Sequence, residues 1–248
     1  MAVGQMIDGQ NKEEKMEKMK QNSLMKLTYA VDLVFCIDAT ASMDHILDMV
    51  KDNALNFYDD FQRIMNRKRK IVSRLRIRVV AFRDYYYDGD QAMLQTKFFE
   101  FPRQMEEFER CIRSIVADGG GDDPEDGLEA LAYAMKSDWN MDAQKRRHVI
   151  VVWSDASTHD LGFGKAYAGY PAKMPKDFCE LTSWWGSKNN PGIMDQSSKR
   201  LLMFTPDEAS WSTIAMNWDK AIQYVSEAGT GLVDKDYEQI LNAIANSI

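Results

Sequence analysis

The sequence predicts an α/β fold, an open and mostly parallel sheet with helices on both faces. Two short apolar runs, Val31–Ile37 (VDLVFCI) and His148–Trp153 (HVIVVW), are rich in β-branched residues and lack strict alternation with polar residues. That pattern is typical of buried strands in a parallel sheet. Between the two runs, apolar residues recur every three or four positions from about Met43 to Met65. This spacing predicts a long amphipathic helix, and strands that alternate with helices favour the layered fold.

The next elements define one edge of the predicted sheet. Arg76–Phe82 (RIRVVAF) is the second strand, and Lys97–Phe101 (KFFEF) is a short aromatic strand. The connection between them is only about 14 residues and contains no clear helix, so we expect Lys97–Phe101 to pair antiparallel as an edge strand.

The remaining elements complete a three-layer, Rossmann-like arrangement. A helix is predicted over Gln104–Val116, and another begins near Pro124, because proline suits the first turn of a helix. After His148–Trp153, the region 160–198 contains glycine, tryptophan and proline without a clear period, and is interpreted as an insertion. The predicted elements that follow are strand Leu201–Phe204, helix Trp211–Trp218, strand Ile222–Val225 and helix Asp234–Ile248.

Length and composition indicate one globular domain. The chain has 248 residues, of which 45% are hydrophobic, enough to bury a sizeable core. Residues 27–248 are assigned to this domain and residues 1–26 to a charged N-terminal extension. The extension lacks the apolar core of a secretory signal, and no apolar stretch is long enough to span a bilayer. The three cysteines form no disulfide pattern, so a cytoplasmic location is expected.

Acidic and hydroxyl residues are concentrated where strands end or helices begin. Asp38, Thr40 and Ser42 follow the first strand, Asp122 lies in the second loop (GGGDDPED), and Asp155 follows His148–Trp153. In open α/β sheets the ligand crevice lies at the carboxyl ends of the strands, so these oxygens are expected to converge there. Three carboxylates and two hydroxyls form a ligand set for Mg²⁺, and Mn²⁺ or Ca²⁺ would also suit it.

The same residues carry a family resemblance. DATAS (residues 38–42) resembles the Asp-x-Ser/Thr-x-Ser signature of the metal-ion-dependent adhesion site in von Willebrand factor A domains, and WSDA resembles the segment that carries the family's downstream aspartate. The family's second-loop threonine lies five residues before a Gly-Leu pair, a position that Asp122 occupies here, with Asp123 as the competing candidate. The GGGDxPE context resembles an intracellular subset of the family.

The resemblance implies a protein-interaction module and not an enzyme. A partner would complete the metal shell through an acidic side chain, although the carboxylate of Asp122 in place of threonine reduces the ion's demand for one. Kinases, phosphatases and AAA-type ATPases are the associations that the intracellular subset implies, in assembly, signalling or stress-response systems. Candidate partner-contact residues are Asp84, Tyr85, Tyr86, Trp184 and Trp185, because they are expected near the crevice or in the insertion.

Other functions are weaker interpretations of the same sequence. A Mg²⁺-dependent phosphohydrolase would use the same carboxylates, but no general base or basic clamp accompanies them. A phosphate-binding glycine loop would need a following Gly-Lys-Ser/Thr, and acidic residues follow the glycines here. The net charge of −7 argues against nucleic acid, despite the basic stretch Arg63–Arg78. A zinc site from His159 and Cys179 would lack two of its four ligands.

Overall fold

A computed structural model describes residues 28–230, 232–233 and 235–248. The predicted N-terminal extension, residues 1–26, lies outside the described residues. The strands are β1 Thr28–Asp38, β2 Ile71–Phe82, β3 Met93–Gln95, β4 Phe99–Phe101, β5 Arg146–Trp153, β6 Lys199–Pro206 and β7 Ala221–Ser226. The α-helices are α1 Asp44–Asn53, α2 Phe57–Arg67, α3 Tyr85–Asp88, α4 Met105–Ser114, α5 Gly127–Met135, α6 Phe178–Trp185, α7 Ala209–Asn217 and α8 Tyr237–Ser247.

The strands form one sheet in the order β3-β2-β1-β5-β6-β7. β1 lies at its centre and pairs in parallel with both β2 and β5, and β6 and β7 continue the parallel arrangement. Along the outer edge of β2, β3 and the predicted strand β4 pair antiparallel. The predicted fold class is therefore confirmed, and β3 is a second short antiparallel segment on the same edge.

Two apolar layers cover the faces of the sheet. Successive side chains of a strand point to opposite faces, so Leu33, Phe35 and Ile37 of β1 contribute to one buried cluster with α1, α2, α4 and α8. Val34 and Cys36 contribute to the other cluster, with α5, α6 and α7. Because both faces of β1 are covered, its run is continuously apolar apart from Asp32.

The long helix predicted over residues 43–65 is two helices in the structure. α1 ends at Asn53, whose side-chain amide donates to the Met49 carbonyl, and α2 begins at Phe57. The amides of Ala54 and Asn56 bond to carbonyls three residues back, which tightens the chain into a turn. Side-chain amides that bond to the helix backbone compete with its regular hydrogen bonds.

The helix predicted near Pro124 begins three residues later, at Gly127. Glu125 forms an isolated parallel bridge with Thr158, and this pairing holds the residues around Pro124 in the second loop. The other predicted elements are present. Most of the strands are longer than predicted by one to several residues, whereas β4 begins two residues later than predicted, at Phe99, and α4 is shorter than the predicted Gln104–Val116. No helix of the described part of the chain is long and apolar enough to cross a membrane.

Candidate metal centre

An open cleft of about 680 Å³ lies at the carboxyl ends of β1 and β5. The loop after β1, the loop after β5 and the second loop (residues 118–126) meet there. Its lining includes hydroxyl, carboxylate and glycine residues from all three loops, namely Thr40, Ser42, Gly119, Gly120, Gly121, Asp122, Asp123, Glu125 and Asp155. Four of the five predicted ligands, Thr40, Ser42, Asp122 and Asp155, therefore line this cleft, and Asp38 is buried behind the first loop.

Asp38 is buried at the end of β1, and its carboxylate is surrounded by hydrogen-bond donors. The Thr40 amide and hydroxyl donate to Oδ1 at 3.0 and 2.6 Å, and the Ser154 hydroxyl donates to Oδ2 at 2.7 Å. Burial raises the pKa of Asp38 from 3.8 to about 6, although these hydrogen bonds oppose the rise. A buried carboxylate in this state gains from a nearby cation, which favours the charged form.

Ser42 and Asp155 connect the first loop to the loop after β5. The Ser42 hydroxyl donates to Asp155 Oδ1 at 2.8 Å, across 113 positions of the chain. Asp155 is buried, and its charge also acts on Asp38 to raise the pKa of that carboxyl. Four predicted residues, Asp38, Thr40, Ser42 and Asp155, therefore lie in one connected group.

Glycines allow the second loop to approach the first. Gly120 has a φ of 81°, and a Cβ there would lie 3.1 Å from Thr40 Cγ2 and 3.0 Å from Glu125 Oε1. Positive φ is costly for other residues. Gly120 is therefore required both by its backbone conformation and by its contact with Thr40.

Glu125 is a site residue that the sequence analysis did not single out. It is buried beside Gly120, and its Oε2 has no hydrogen-bond partner among the described residues. Burial, together with the charges of Asp38, Asp84, Asp88 and Asp122, raises the pKa of Glu125 from 4.5 to about 10. The PED sequence of the second loop was the available signal, but the bridge to Thr158 that turns Glu125 inward is a tertiary feature.

Asp122 and Asp123 both line the cleft and are exposed. Asp122 Oδ1 lies 3.2 Å from His159 Nε2, a contact that the sequence did not predict. With Asp38, Glu125 and Asp155, they supply an oxygen-rich donor set of the kind that hard divalent cations bind. The unpartnered Glu125 oxygen and the raised pKa of Asp38 fit this interpretation.

The residues that follow β2 are divided between core and surface. Asp84 is buried, and its side chain accepts hydrogen bonds from the Tyr86 and Tyr87 amides at the start of α3. Tyr85 is also buried and packs against Tyr167 and Tyr170 of the insertion. Tyr86 is 56% exposed. Among these candidates for partner contact, Tyr86 is the one that a partner can reach.

Trp184 and Trp185 lie away from the cleft. Trp185 is fully buried against Trp218, and its carbonyl accepts a hydrogen bond from Lys199 at the start of β6. Trp184 is half-buried beneath Lys136. The carboxyl-terminal part of the insertion thus reaches the amino end of the sheet and supports the core there. Its earlier part lies near the cleft, because Phe163 contacts Tyr86.

Comparison with known families agrees with this geometry. The profile described as von Willebrand factor A domain matches residues 32–165, which contain the first loop, the second loop and Asp155. The chain belongs to the von Willebrand factor A domain family. The protein named Alpha-protein kinase vwkA from Dictyostelium discoideum is 30% identical over 171 residues, a match that covers 66% of this chain and 25% of the kinase. Most of the kinase therefore lies outside the match.

Solved structures with a similar arrangement have much lower sequence identity. The pilus adhesin SpaC from Lactobacillus rhamnosus GG, in its open conformation, is 12% identical with a TM-score of 0.48, over 88% of this chain and 30% of the adhesin. Proximal thread matrix protein 1 from the mussel byssus is also 12% identical with a TM-score of 0.48, over 90% of this chain and 49% of that protein. Neither similarity bears on what this chain binds.

Proposed function

We propose that this von Willebrand factor A domain is a protein-interaction module that binds Mg²⁺ at its cleft and engages a protein partner through the ion. The ligands are Asp38, Thr40, Ser42 and Asp155, with Asp122 from the second loop and Asp123 as its alternative. Mn²⁺ or Ca²⁺ would occupy the same position. The observation that carries the proposal is the group of hydroxyls and buried carboxylates that are hydrogen-bonded within and between the loops after β1 and β5.

Glu125 extends the predicted ligand set. Its unpartnered Oε2 is buried beside Thr40, where it would accept either the ion or a water molecule bound to it. With a pKa of about 10, this carboxyl is protonated at neutral pH in the metal-free chain, and an ion beside it would favour its charged form. With Glu125 ionised, four carboxylates supply more negative charge than one divalent cation neutralises. A partner's acidic side chain is therefore less necessary than in a site with a threonine.

An ion in this cleft would supply a Lewis-acidic, positively charged point that orients oxygen ligands. The side chains of the chain itself hold that point and shape its surroundings. Ser42 is exposed beside buried Asp155, so the ion would face solvent on the Ser42 side. Exposed Tyr86 and Tyr87 stand on the neighbouring loop, and tyrosine is a frequent interface residue. A partner would contact the ion and these rings together.

The proposed partner belongs to an intracellular assembly or signalling system, and kinases, phosphatases and AAA-type ATPases are the classes we consider first. A relative whose name includes a kinase supports the kinase class. We also propose that the chain itself is not an enzyme and acts in the cytoplasm. The odd number and wide spacing of the three cysteines support this location, because they form no disulfide pattern.

Metal-dependent capture tests the proposal. The full chain is immobilised as wild type, as Asp38→Ala and as the matched surface control Asp59→Ala, and bound proteins are quantified with Mg²⁺ and with EDTA. A partner retained by wild type and Asp59→Ala with Mg²⁺, and released by EDTA or Asp38→Ala, is the expected result. Equal retention under all conditions would contradict a role for the ion. Phosphoester hydrolysis that is lost in Asp38→Ala would support the phosphohydrolase alternative instead.

A further inference from the structure

Three potential metal ligands meet beside the cleft, on the side of β2. Asp84 follows β2, Asp122 lies in the second loop, and His159 lies in the segment after β5. His159 Nε2 is 2.8 Å from Asp84 Oδ2 and 3.2 Å from Asp122 Oδ1, and the three ligand atoms lie within 4.8 Å of one another. Two carboxylates therefore face a single imidazole nitrogen.

One imidazole cannot satisfy both carboxylates. The Nε2 of His159 lies at ion-pair distance from Asp84 Oδ2, 2.8 Å, and from Asp122 Oδ1, 3.2 Å, but it carries a single proton. Asp84 Oδ2 is buried and makes no hydrogen bond among the described residues, so its contact there is the one with Nε2. A buried carboxylate oxygen is costly unless a cation or donor reaches it. Because one imidazole can neutralise at most one of the two carboxylates, the group is short of positive charge.

The spacing is that of ligands around one ion. Carboxylate and imidazole ligands about 2.0–2.2 Å from a metal, at angles of about 90–110°, stand about 2.9–3.5 Å apart. The two measured separations, 2.8 and 3.2 Å, fall at or close to that range. The Asp84 and Asp122 oxygens lie within 4.8 Å of each other. The Asp122 side chain is 34% exposed, so it is the ligand that would move to complete the shell.

Two of the three side chains are already fixed in place. Asp84 Oδ1 accepts from the Tyr86 and Tyr87 amides, which leaves Oδ2 directed at His159. The His159 ring stacks on Phe163 with centroids 3.7 Å apart, and its backbone amide donates to the Glu125 carbonyl at 2.9 Å. Ligands that are oriented before binding lose little freedom when the ion arrives.

We propose that Asp84 Oδ2, Asp122 Oδ1 and His159 Nε2 bind a second divalent cation, a transition ion of the Zn²⁺ type. An imidazole nitrogen suits such ions better than Mg²⁺, which prefers oxygen ligands. Three protein ligands leave one position of a tetrahedral ion for water or for a partner. The ion would tie together the loop after β2, the second loop and the insertion, at the rim of the first site.

Zinc titration in excess Mg²⁺ tests the second site in the full-length chain. Wild type is expected to bind one Zn²⁺ that His159→Gln and Asp84→Asn weaken at least about tenfold. The Asp84→Asn side chain retains an acceptor oxygen for the Tyr86 and Tyr87 amides, so that variant keeps the start of α3. The sequence has two further histidines, and exposed His45 provides the matched control His45→Gln, which should bind Zn²⁺ as wild type does. Absence of Zn²⁺ binding in wild type, or equal binding in His159→Gln, would overturn the proposal.

Asp122 is also a predicted ligand of the first site. Variants that distinguish the two sites must therefore change a residue that belongs to only one site. Asp38→Ala should retain Zn²⁺ and lose Mg²⁺, and His159→Gln should do the reverse. Histidine-selective NMR with Zn²⁺ added to wild type should shift the His159 ring signals and leave those of His45 in place. Loss of Zn²⁺ in Asp38→Ala, with the fold intact by circular dichroism, would contradict a separate second site.

Discussion

Buried charged groups at the two ends of the central sheet differ in how they are paired. At the amino end, Asp32 of β1 accepts from Arg76 at 2.8 and 2.7 Å and from the Asn140 amide at 2.7 Å. Lys199 of β6 donates to the Trp185 and Gly186 carbonyls and lies 2.7 Å from Asp219. Each of these charges has a partner of opposite sign within the fold.

At the carboxyl end, the carboxylates outnumber the basic groups that face them. Asp38 is bonded only to hydroxyl and amide donors, one oxygen of Glu125 has no hydrogen-bond partner among the described residues, and Asp84 and Asp122 share one imidazole, that of His159. Arg83, the basic residue that follows β2, donates to the carbonyls of Ala39, Gln91 and Val116 instead. Charges at the amino end are thus neutralised within the fold, whereas those at the carboxyl end are the ones to which we propose that a cation binds.

The largest effect on stability is expected at the amino end. Asp32→Ala should lower the free energy of unfolding by about 3 kcal/mol, because it leaves the largely buried Arg76 without its carboxylate. Urea denaturation measures the change, with Asp59→Ala on the surface of α2 as the control. A loss below about 1 kcal/mol would mean that the Asp32–Arg76 pair behaves as a surface pair, and the contrast between the two ends would fail.

At the carboxyl end, ionisation of Asp38 should lower the free energy of unfolding of the metal-free protein. Asp38 has an ordinary pKa of 3.8 and a folded pKa of about 6, so the native state holds its proton more tightly than the unfolded state. Its contribution to stability is present below pH 3.8 and is lost as pH rises through 6, by about 3 kcal/mol. The pKa values of other buried carboxyls, such as Glu125, are raised as well. The quantity to compare is therefore the pH dependence of stability in wild type and in Asp38→Asn.

Metal-free protein should therefore lose stability from pH 4 to pH 6 more steeply than Asp38→Asn does. Thermal or urea unfolding across this window, in EDTA, provides the measurement. Identical pH profiles for the two proteins would show that Asp38 is not penalised when ionised. Mg²⁺ should remove the steeper loss of stability in wild type, because the ion stabilises the charged form of Asp38.

Gly120→Ala should have a smaller effect on the fold and a clear effect on the first site. A residue at φ of 81° costs about 1–2 kcal/mol when it is not glycine, and the added Cβ would press on Thr40. Weaker Mg²⁺ binding together with this loss of stability is expected by calorimetry and urea denaturation. Gly162→Ala, also at positive φ but outside the cleft and with the flexible Lys165 side chain nearest to its Cβ, separates backbone strain from contact with Thr40. Equal Mg²⁺ affinity in the two variants would contradict the close approach.

The smallest effect on stability is expected at the exposed rings. Tyr86→Ala removes a side chain that is 56% exposed, so the free energy of unfolding should change by no more than about 0.5 kcal/mol. Capture of a Mg²⁺-dependent partner should nevertheless decrease. Unchanged capture in Tyr86→Ala, with Asp38→Ala still inactive, would place the partner's contact on other loops of the cleft.

The sequence predicted most of the fold because the relevant signals are local. Apolar runs located the central strands, and the parallel order then placed Asp38 and Asp155 at one edge. The position of Trp185 could not be predicted in this way. Two adjacent tryptophans in a glycine-containing insertion resemble an exposed loop, whereas the structure buries Trp185 against Trp218, a contact between distant parts of the chain.

The candidate site was predictable from two signals, spacing within one loop and the position of a loop at a strand end. Asp38, Thr40 and Ser42 lie within five positions, and their spacing alone predicts that they share a site. Glu125 and His159 depend on the bridge between the second loop and the segment after β5, which no local pattern encodes. The positions of Glu125 and His159 beside the other ligands are therefore visible only in the folded structure.

The most direct test of the contrast between the two ends is calorimetric titration of Mg²⁺ into the metal-free chain. Wild type and Asp59→Ala are expected to bind one ion at the carboxyl end, and Asp38→Ala is expected to bind none while its circular dichroism remains that of the folded protein. Mn²⁺ should give the same pattern. Absence of binding in wild type, or saturable binding that persists in Asp38→Ala, would contradict the assignment of these carboxylates to a cation.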